Sequence, residues 1–303
     1  MLNRPSLARY AWISVAAALA TIGLKAWAWW VTGSVGLLSD AIESLVNLAA
    51  ALVALWVLAL AGRPPNEAYA HGYSKAEYFS SGFEGAMILL AAGAIIWTAA
   101  PRLLTPTSLE QVGVGLAISV LASLVNLAVS LLLLRAARQH RSITLEADAR
   151  HLMTDVWTSG GVVLGVLLVT LTGWERLDPL IAIAVGANIL RTGYLLLRRS
   201  ALGLLDPSLA GERLDAIHGV LERFRSQGIG FHALRTREAA GRSFVSVHVL
   251  VPGDWTVQRG HDLLERIEAE IRSAVPGSSV ITHLEPLEDP LSLADEGLDR
   301  GTA

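Results

Sequence analysis

Two short segments, D-A-I-E-S-L-V-N at residues 40–47 and D-A-R-H-L-M-T-D at 148–155, share one spacing: an aspartate, a metal-binding type of residue three positions on, and another four beyond that. Spacings of three and four put side chains on one face of an α-helix. Glu43 with Asn47, and His151 with Asp155, then each project two oxygen or nitrogen donors from a single stripe. Two such stripes facing each other make a four-ligand cation site. Its two carboxylates, Glu43 and Asp155, match the charge of a dication. Carboxylate and amide oxygens with one imidazole suit Zn2+, Fe2+, Mn2+, Co2+ or Ni2+ better than Cu+. Asp40 and Asp148 sit a turn from the ligand pairs toward the helix start, where capping or interface exposure explains them as readily as ligation.

The sequence contains its own control, because S-L-V-N-L-A occurs at 44–49 and again at 123–128. Ala122, not a glutamate, precedes the second copy, so Asn126 reads most simply as an interhelical hydrogen bond in an apolar helix. Glu43 is different. A carboxylate deep in a bilayer costs at least about 2.5 kcal/mol on insertion scales, and intramembrane acids default to function.

The elements that must position these residues are membrane helices. The 303 residues are 52% hydrophobic, and their mean hydropathy of +0.47 exceeds that of an ordinary soluble domain. Six stretches before residue 200 reach the length needed to span a bilayer, at roughly 9–31, 34–61, 79–100, 111–134, 152–172 and 179–197. The first has no small-residue cleavage site and reads as a retained helix. Arg4, Arg9, Arg63, Lys75, Arg135, Arg138, Arg141, Arg150, Arg198 and Arg199 flank one face, against Arg102 and Arg176 on the other. An even number of spans with this bias places both termini in the cytoplasm of a multi-pass cell-membrane protein. A net charge of -3 gives no reason to expect a nucleic-acid partner. With no cysteine, disulfides and thiolate metal sites are excluded.

Past Asp206 and Pro207 the composition becomes charged and a second domain begins. Its pattern predicts a helix at about 209–226, strands at "GFHALRTR" and "SFVSVHVLVP", a helix around 257–275 and a strand "SSVITHLEPL". The order αββαβ implies a two-layer α+β sandwich of ferredoxin or metallochaperone type. The expected organisation is a six-helix transmembrane domain at 1–206, a cytoplasmic domain at 207–290 and a disordered tail at 291–303.

These residues resemble the cation diffusion facilitators, a family of divalent-metal transporters dominated by zinc, over residues 10–290. The similarity rests on "KAWAWWVTGSV" leading into span two, the E-x-x-x-N and H-x-x-x-D pairs on spans two and five, "SKAEYFSSG" opening span three, and the positions of the histidines in the C-terminal domain. The resemblance implies a homodimer in the lipid bilayer. Each protomer would hold a transport site of Glu43, Asn47, His151 and Asp155, exchange metal for protons by alternating access, and export the metal. It implies no enzyme and no prosthetic group, with Zn2+ or another divalent cation as substrate and regulatory ligand. It also points to a cytoplasmic binuclear site at His232, His248, His261, His283 and Glu285, where Glu285 replaces a common aspartate. Lys75 and Asp206 would form a charge interlock at the dimer's cytoplasmic neck. His218, on an amphipathic helix, falls outside the pattern and reads as solvated.

The chain departs from the family twice. Relatives usually carry a carboxylate at the position of Asn47. Many also hold a metal in the loop after span two with an acid and two histidines, where this chain has Asn66, Tyr69 and Tyr73, with His71 displaced by two. No metal is expected in that loop, and His71 reads as a surface or interface residue. Two other classes of function are weaker readings. An intramembrane metalloprotease would require H-E-x-x-H, which is absent. A metal-sensing membrane receptor would not require the intramembrane quartet.

Overall fold

The computed structural model describes residues 7–32, 35–105 and 114–293, with side chains at all of these except 28, 31–43, 46 and 114–116. The chain divides into two compact units that part between Leu202 and Gly203.

The first unit is built on six helices: α1 (Ala8–Thr32), α2 (Val35–Ala61), α3 (Ala76–Leu104), α4 (Val114–His140), α5 (Ile143–Thr172) and α6 (Leu177–Leu204). All but α2 are long and apolar enough to cross a membrane. α2 has 27 residues and includes an apolar segment at Asn47–Ala61. Large apolar side chains cover the exterior: Trp12 and Trp56 near the α1 start and the α2 end, and Trp30, Trp97 and Trp174 near the opposite ends, are all exposed. Tryptophans in two bands of this kind mark the two lipid–water interfaces.

Inside, α1, α2, α4 and α5 pack around Leu58, Leu133, Leu145 and Leu152, with Ala11, Ala136 and Ala149 letting the backbones approach. α3 and α6 meet through glycine. A Cβ on Gly85 would stand 3.0 Å from the Leu197 nitrogen, and one on Gly193 3.1 Å from the Gly85 carbonyl. The hydroxyls of Ser81 and Ser200 close the same contact at 2.6 Å.

α5 starts nine residues before the span expected at 152. The polar opening of this helix hid it from a hydropathy scan, yet its local chemistry favours helix. Ser142 caps it by accepting from the Leu145 N–H at 3.3 Å. Glu146 and Arg150 then pair one turn apart at 2.9 Å.

The second unit follows the expected order: α7 (Glu212–Arg225), β1 (Gly230–Ala239), β2 (Arg242–Val251), α8 (Val257–Ala274), β3 (Ser278–Pro286) and a short 3-10 turn at Pro290–Leu293. The sheet order is β1-β2-β3, with β1 antiparallel and β3 parallel to the central β2. Val245, Val247, Val249 and Val251 alternate into the core against Ile217, Val220 and Phe224 of α7 and Leu263, Ile267 and Ile271 of α8. The expected disordered tail begins inside the 3-10 turn, and its residues from 294 onward lie outside the described residues.

Candidate metal sites

The middle of the helical unit carries a closed hydrogen-bond cluster. Asn47 on α2 donates from Nδ2 to Asp155 Oδ2 on α5 at 2.5 Å, and its Oδ1 lies 2.8 Å from His151 Nε2. Because an amide oxygen only accepts, His151 donates there and carries its proton on Nε2. Asn47 and His151 are buried, at 6% and 5% exposure, and Asp155 is half-buried. Three of the four expected ligands are thus brought together across α2 and α5. The side chain of the fourth, Glu43, lies outside the described residues, as does that of Asp40. Glu43 stands one helical turn before Asn47 on α2.

In this arrangement the donors satisfy one another. With its proton on Nε2, His151 keeps its lone pair on Nδ1, which is buried without a hydrogen-bond partner among the described residues.

α4 also contributes, which the sequence reading missed. Asn126 does form an interhelical hydrogen bond, but its target is Asp155 Oδ2, at 3.0 Å, the oxygen that Asn47 also contacts. The Asn126 Oδ1 is buried without a partner among the described residues. The repeated S-L-V-N-L-A was the available signal: the same hexapeptide on two helices placed two amides on one carboxylate.

Asp148 corrects an expectation as well. It neither caps α5, a role held by Ser142, nor lies exposed. At 1% exposure it accepts the Ser14 hydroxyl of α1 at 2.8 Å.

In the α+β unit, sheet register aligns three imidazoles. His232 pairs with His248 across β1 and β2, and His248 with His283 across β2 and β3. Their rings lie 4.8 and 5.0 Å apart in succession. Glu285, two residues along β3 from His283, returns to the same face. Its Oε2 lies 2.6 Å from His232 Nε2, while Oε1 lies 3.3 Å from His248 Nδ1 and 3.5 Å from His283 Nε2. A break in the β1–β2 register follows His232, where Ala233 adopts φ +48.

Donor atoms of His232, His248 and Glu285 all lie within 4.8 Å of one another. Ligands held about 2.0–2.1 Å from a tetrahedral zinc stand about 3.3 Å apart, so this trio fits one ion with small adjustment. His283 is 65% exposed at the edge of the group. His261 is exposed near the start of α8, and no such trio among the described residues includes it. His218 is exposed on α7, as expected.

In the loop after α2, the residues standing where many relatives hold a metal bond to one another. Asn66 Nδ2 donates to the Tyr73 hydroxyl at 2.8 Å, Asn66 Oδ1 accepts from the Tyr69 N–H at 2.8 Å, and the two tyrosine rings lie 4.7 Å apart. His71 is exposed. Lys75 and Asp206 belong to different units. Within its own unit Asp206 accepts from Arg237 at 3.4 Å.

The helical unit is thus a bundle of apolar helices with a polar Asn–His–Asp cluster inside it, and the α+β unit that follows in sequence carries three aligned histidines. Residues 11–205 match the cation efflux transmembrane domain, and residues 209–287 the cytoplasmic domain of cation efflux proteins. The chain belongs to the cation efflux, or cation diffusion facilitator, family of multi-pass membrane transporters, which are not enzymes. It is similar to an uncharacterized transporter of Synechocystis sp., at 55% identity over 93% of this chain and 91% of that one. It is also similar to the cation-efflux pump FieF of Serratia proteamaculans, at 32% identity over 93% of each. The solved metal-bound C-terminal domain of the CzcD transporter from Thermotoga maritima aligns with 26% of this chain and 91% of its own, at 29% identity and a TM-score of 0.24.

Proposed function

We propose that the protein exports divalent metal from the cytosol by alternating access, exchanging each metal ion for protons, with Glu43, Asn47, His151 and Asp155 as the transport ligands. The observation that carries this reading is the Asn47–His151–Asp155 cluster between two apolar helices, with Asn47 and His151 buried and Asp155 half-buried. Its two carboxylates, with Glu43 included, neutralise a dication, and its neutral donors complete the shell. Zn2+ is the foremost substrate on the imidazole content of the site, with Fe2+, Mn2+, Co2+, Ni2+ and Cd2+ as alternatives. The relatives named cation-efflux pumps support the direction of movement.

The working form is a homodimer in the cell membrane with six spans, α2 among them, and both termini cytoplasmic. In this reading residues 1–206 form the transport domain, 207–290 the metal-binding and dimerisation domain, and 291–303 a disordered tail. The cytoplasmic site of His232, His248, His261, His283 and Glu285 binds two ions in a regulatory role. The two oxygens of Glu285 face different imidazoles, as a bridging carboxylate requires. Lys75 and Asp206 interlock at the cytoplasmic neck. Proteoliposomes of the full chain test the exchange: acid-loaded vesicles should take up Zn2+ and lose protons together, and uptake indifferent to the pH gradient would contradict it.

A further inference from the structure

The bundle buries a second pair of carboxylates that the metal quartet does not use. Glu84 on α3 has no exposed surface, and neither of its carboxylate oxygens has a hydrogen-bond partner among the described residues. Asp148 on α5 accepts the Ser14 hydroxyl at Oδ1, while its Oδ2 is buried and likewise without a partner among the described residues.

Two bonds set the helices in register. Ser142 Oγ donates to Glu77 Oε2 at 2.5 Å and Thr144 Oγ1 to the Glu77 carbonyl at 3.2 Å. α3 and α5 both begin at this contact and run the same way. At about 1.5 Å per residue, Glu84 lies roughly 10 Å along α3 from it, and Asp148 roughly 6–9 Å along α5. The two acids therefore arrive at similar depth on two helices that pack against each other.

Other ionisable groups on the surrounding helices are placed differently. Glu77 is bonded to Ser142, and Glu146 is paired with Arg150 and Arg199. His151 and Asp155 lie further along α5, in the quartet. Lys25 is three turns beyond Ser14 on α1. On α4, Arg135 lies five residues beyond Ser130, which bonds the Ala149 carbonyl. Asp40 and Glu43 on α2 have side chains outside the described residues.

Two carboxylates shut away from water at similar depth on packed helices, with a hydroxyl donor on Asp148 alone, cannot both stay ionised unless a cation joins them. The free atoms are three oxygens and no nitrogen, a poor shell for a transition metal but enough for a shared proton. We propose that Glu84 and Asp148 form a second cation site in the membrane domain, one that holds a proton and gives it up when metal enters the quartet. Asp148, His151 and Asp155 follow one another at spacings of three and four on one face of α5, so the charge of a bound dication reaches the proton directly. The role of this site in transport rests on the metal–proton exchange proposed above, but its existence does not.

The test is infrared absorption by the carbonyl of a protonated carboxyl group, recorded on the full-length protein in lipid nanodiscs, metal-free and near neutral pH. The wild type should show such a band, shifted by carbon-13 labelling of the glutamate carboxyls and lost in Glu84→Gln. Ser14→Ala, which removes the hydroxyl from Asp148, should move its frequency. Adding Zn2+ should diminish the band, and a pH-indicating dye should record about one proton fewer released per metal in Glu84→Gln than in the wild type. Absence of any band that responds to the glutamate label would overturn the proposal, and needs no variant to fold. A band that ignores Zn2+ would mark a permanently neutral structural carboxyl and overturn the coupling. Loss of one bound Zn2+ in Glu84→Gln would make this a metal site and overturn the proton assignment. None of these readouts uses a gradient, so a protein showing the band but failing to exchange protons for metal would fault the exchange reading alone.

Discussion

Replacing Asn47 with aspartate should change how protons compete with metal, by an amount the geometry sets. The Asn47 amide nitrogen stands 2.5 Å from Asp155 Oδ2. In Asn47→Asp a carboxylate oxygen takes that place. Two unit charges at that separation repel by about 7 kcal/mol at an effective dielectric constant of about 20, so the pair retains a proton between them near neutral pH. Metal must displace it, because ligands coordinate deprotonated. One more proton released adds about one to the slope of log affinity against pH, so each unit of acidification weakens binding about tenfold more than in the wild type. The assay is a Zn2+ titration in detergent at several pH values around neutrality, with His248→Ala and His283→Ala removing the cytoplasmic cluster. Coincident slopes for wild type and variant would refute the reasoning and place Asn47 outside the coordination shell.

Glu285→Ala, in the full chain with the membrane site disabled, should lower the Zn2+ affinity of the cytoplasmic cluster about 100-fold, since a structural zinc site is worth about 10–16 kcal/mol over four ligands; unchanged calorimetric binding would show that the cluster is not a site. Asn126→Ala removes one of the two amides that hold the Asp155 carboxylate and should weaken metal binding in the membrane domain about 10- to 100-fold, the usual effect of losing a group that orients a ligand. An unchanged affinity would reduce Asn126 to packing. Ser142→Ala deletes the α5 cap and the bond to Glu77, and should lower stability in detergent by about 1–2 kcal/mol, read as an earlier thermal unfolding midpoint.

What the sequence disclosed and what it concealed follow from the range of the forces involved. Helix spans and the αββαβ order were legible because hydropathy and periodicity are local properties of the chain. His151 and Asp155 were legible because helical spacing alone puts them on one stripe. His283 and Glu285 likewise share a face by strand alternation, but the row of His232, His248 and His283 depends on strand register, which is a tertiary fact. The interhelical hydrogen bond of Asn126 was legible, but its target Asp155 was not, because a single amide in an apolar helix looks the same whatever its partner is. The start of α5 was missed because a segment with Glu146, Asp148 and Arg150 fails a lipid criterion, although the protein interior and paired charges accommodate it. Asp148 was misplaced for the same reason: its partner, Ser14, lies 134 residues away in sequence.

The central claim is that metal crosses the membrane through the site on α2 and α5, and Asp155 is its most exposed point. It supplies one of the two negative charges and accepts from both Asn47 and Asn126. The decisive measurement is Zn2+ uptake into acid-loaded proteoliposomes by wild type and Asp155→Ala, with detergent size-exclusion confirming that both are folded dimers. The account predicts uptake by the wild type and none above empty vesicles for Asp155→Ala. Uptake at the wild-type rate by a folded Asp155→Ala dimer would contradict it.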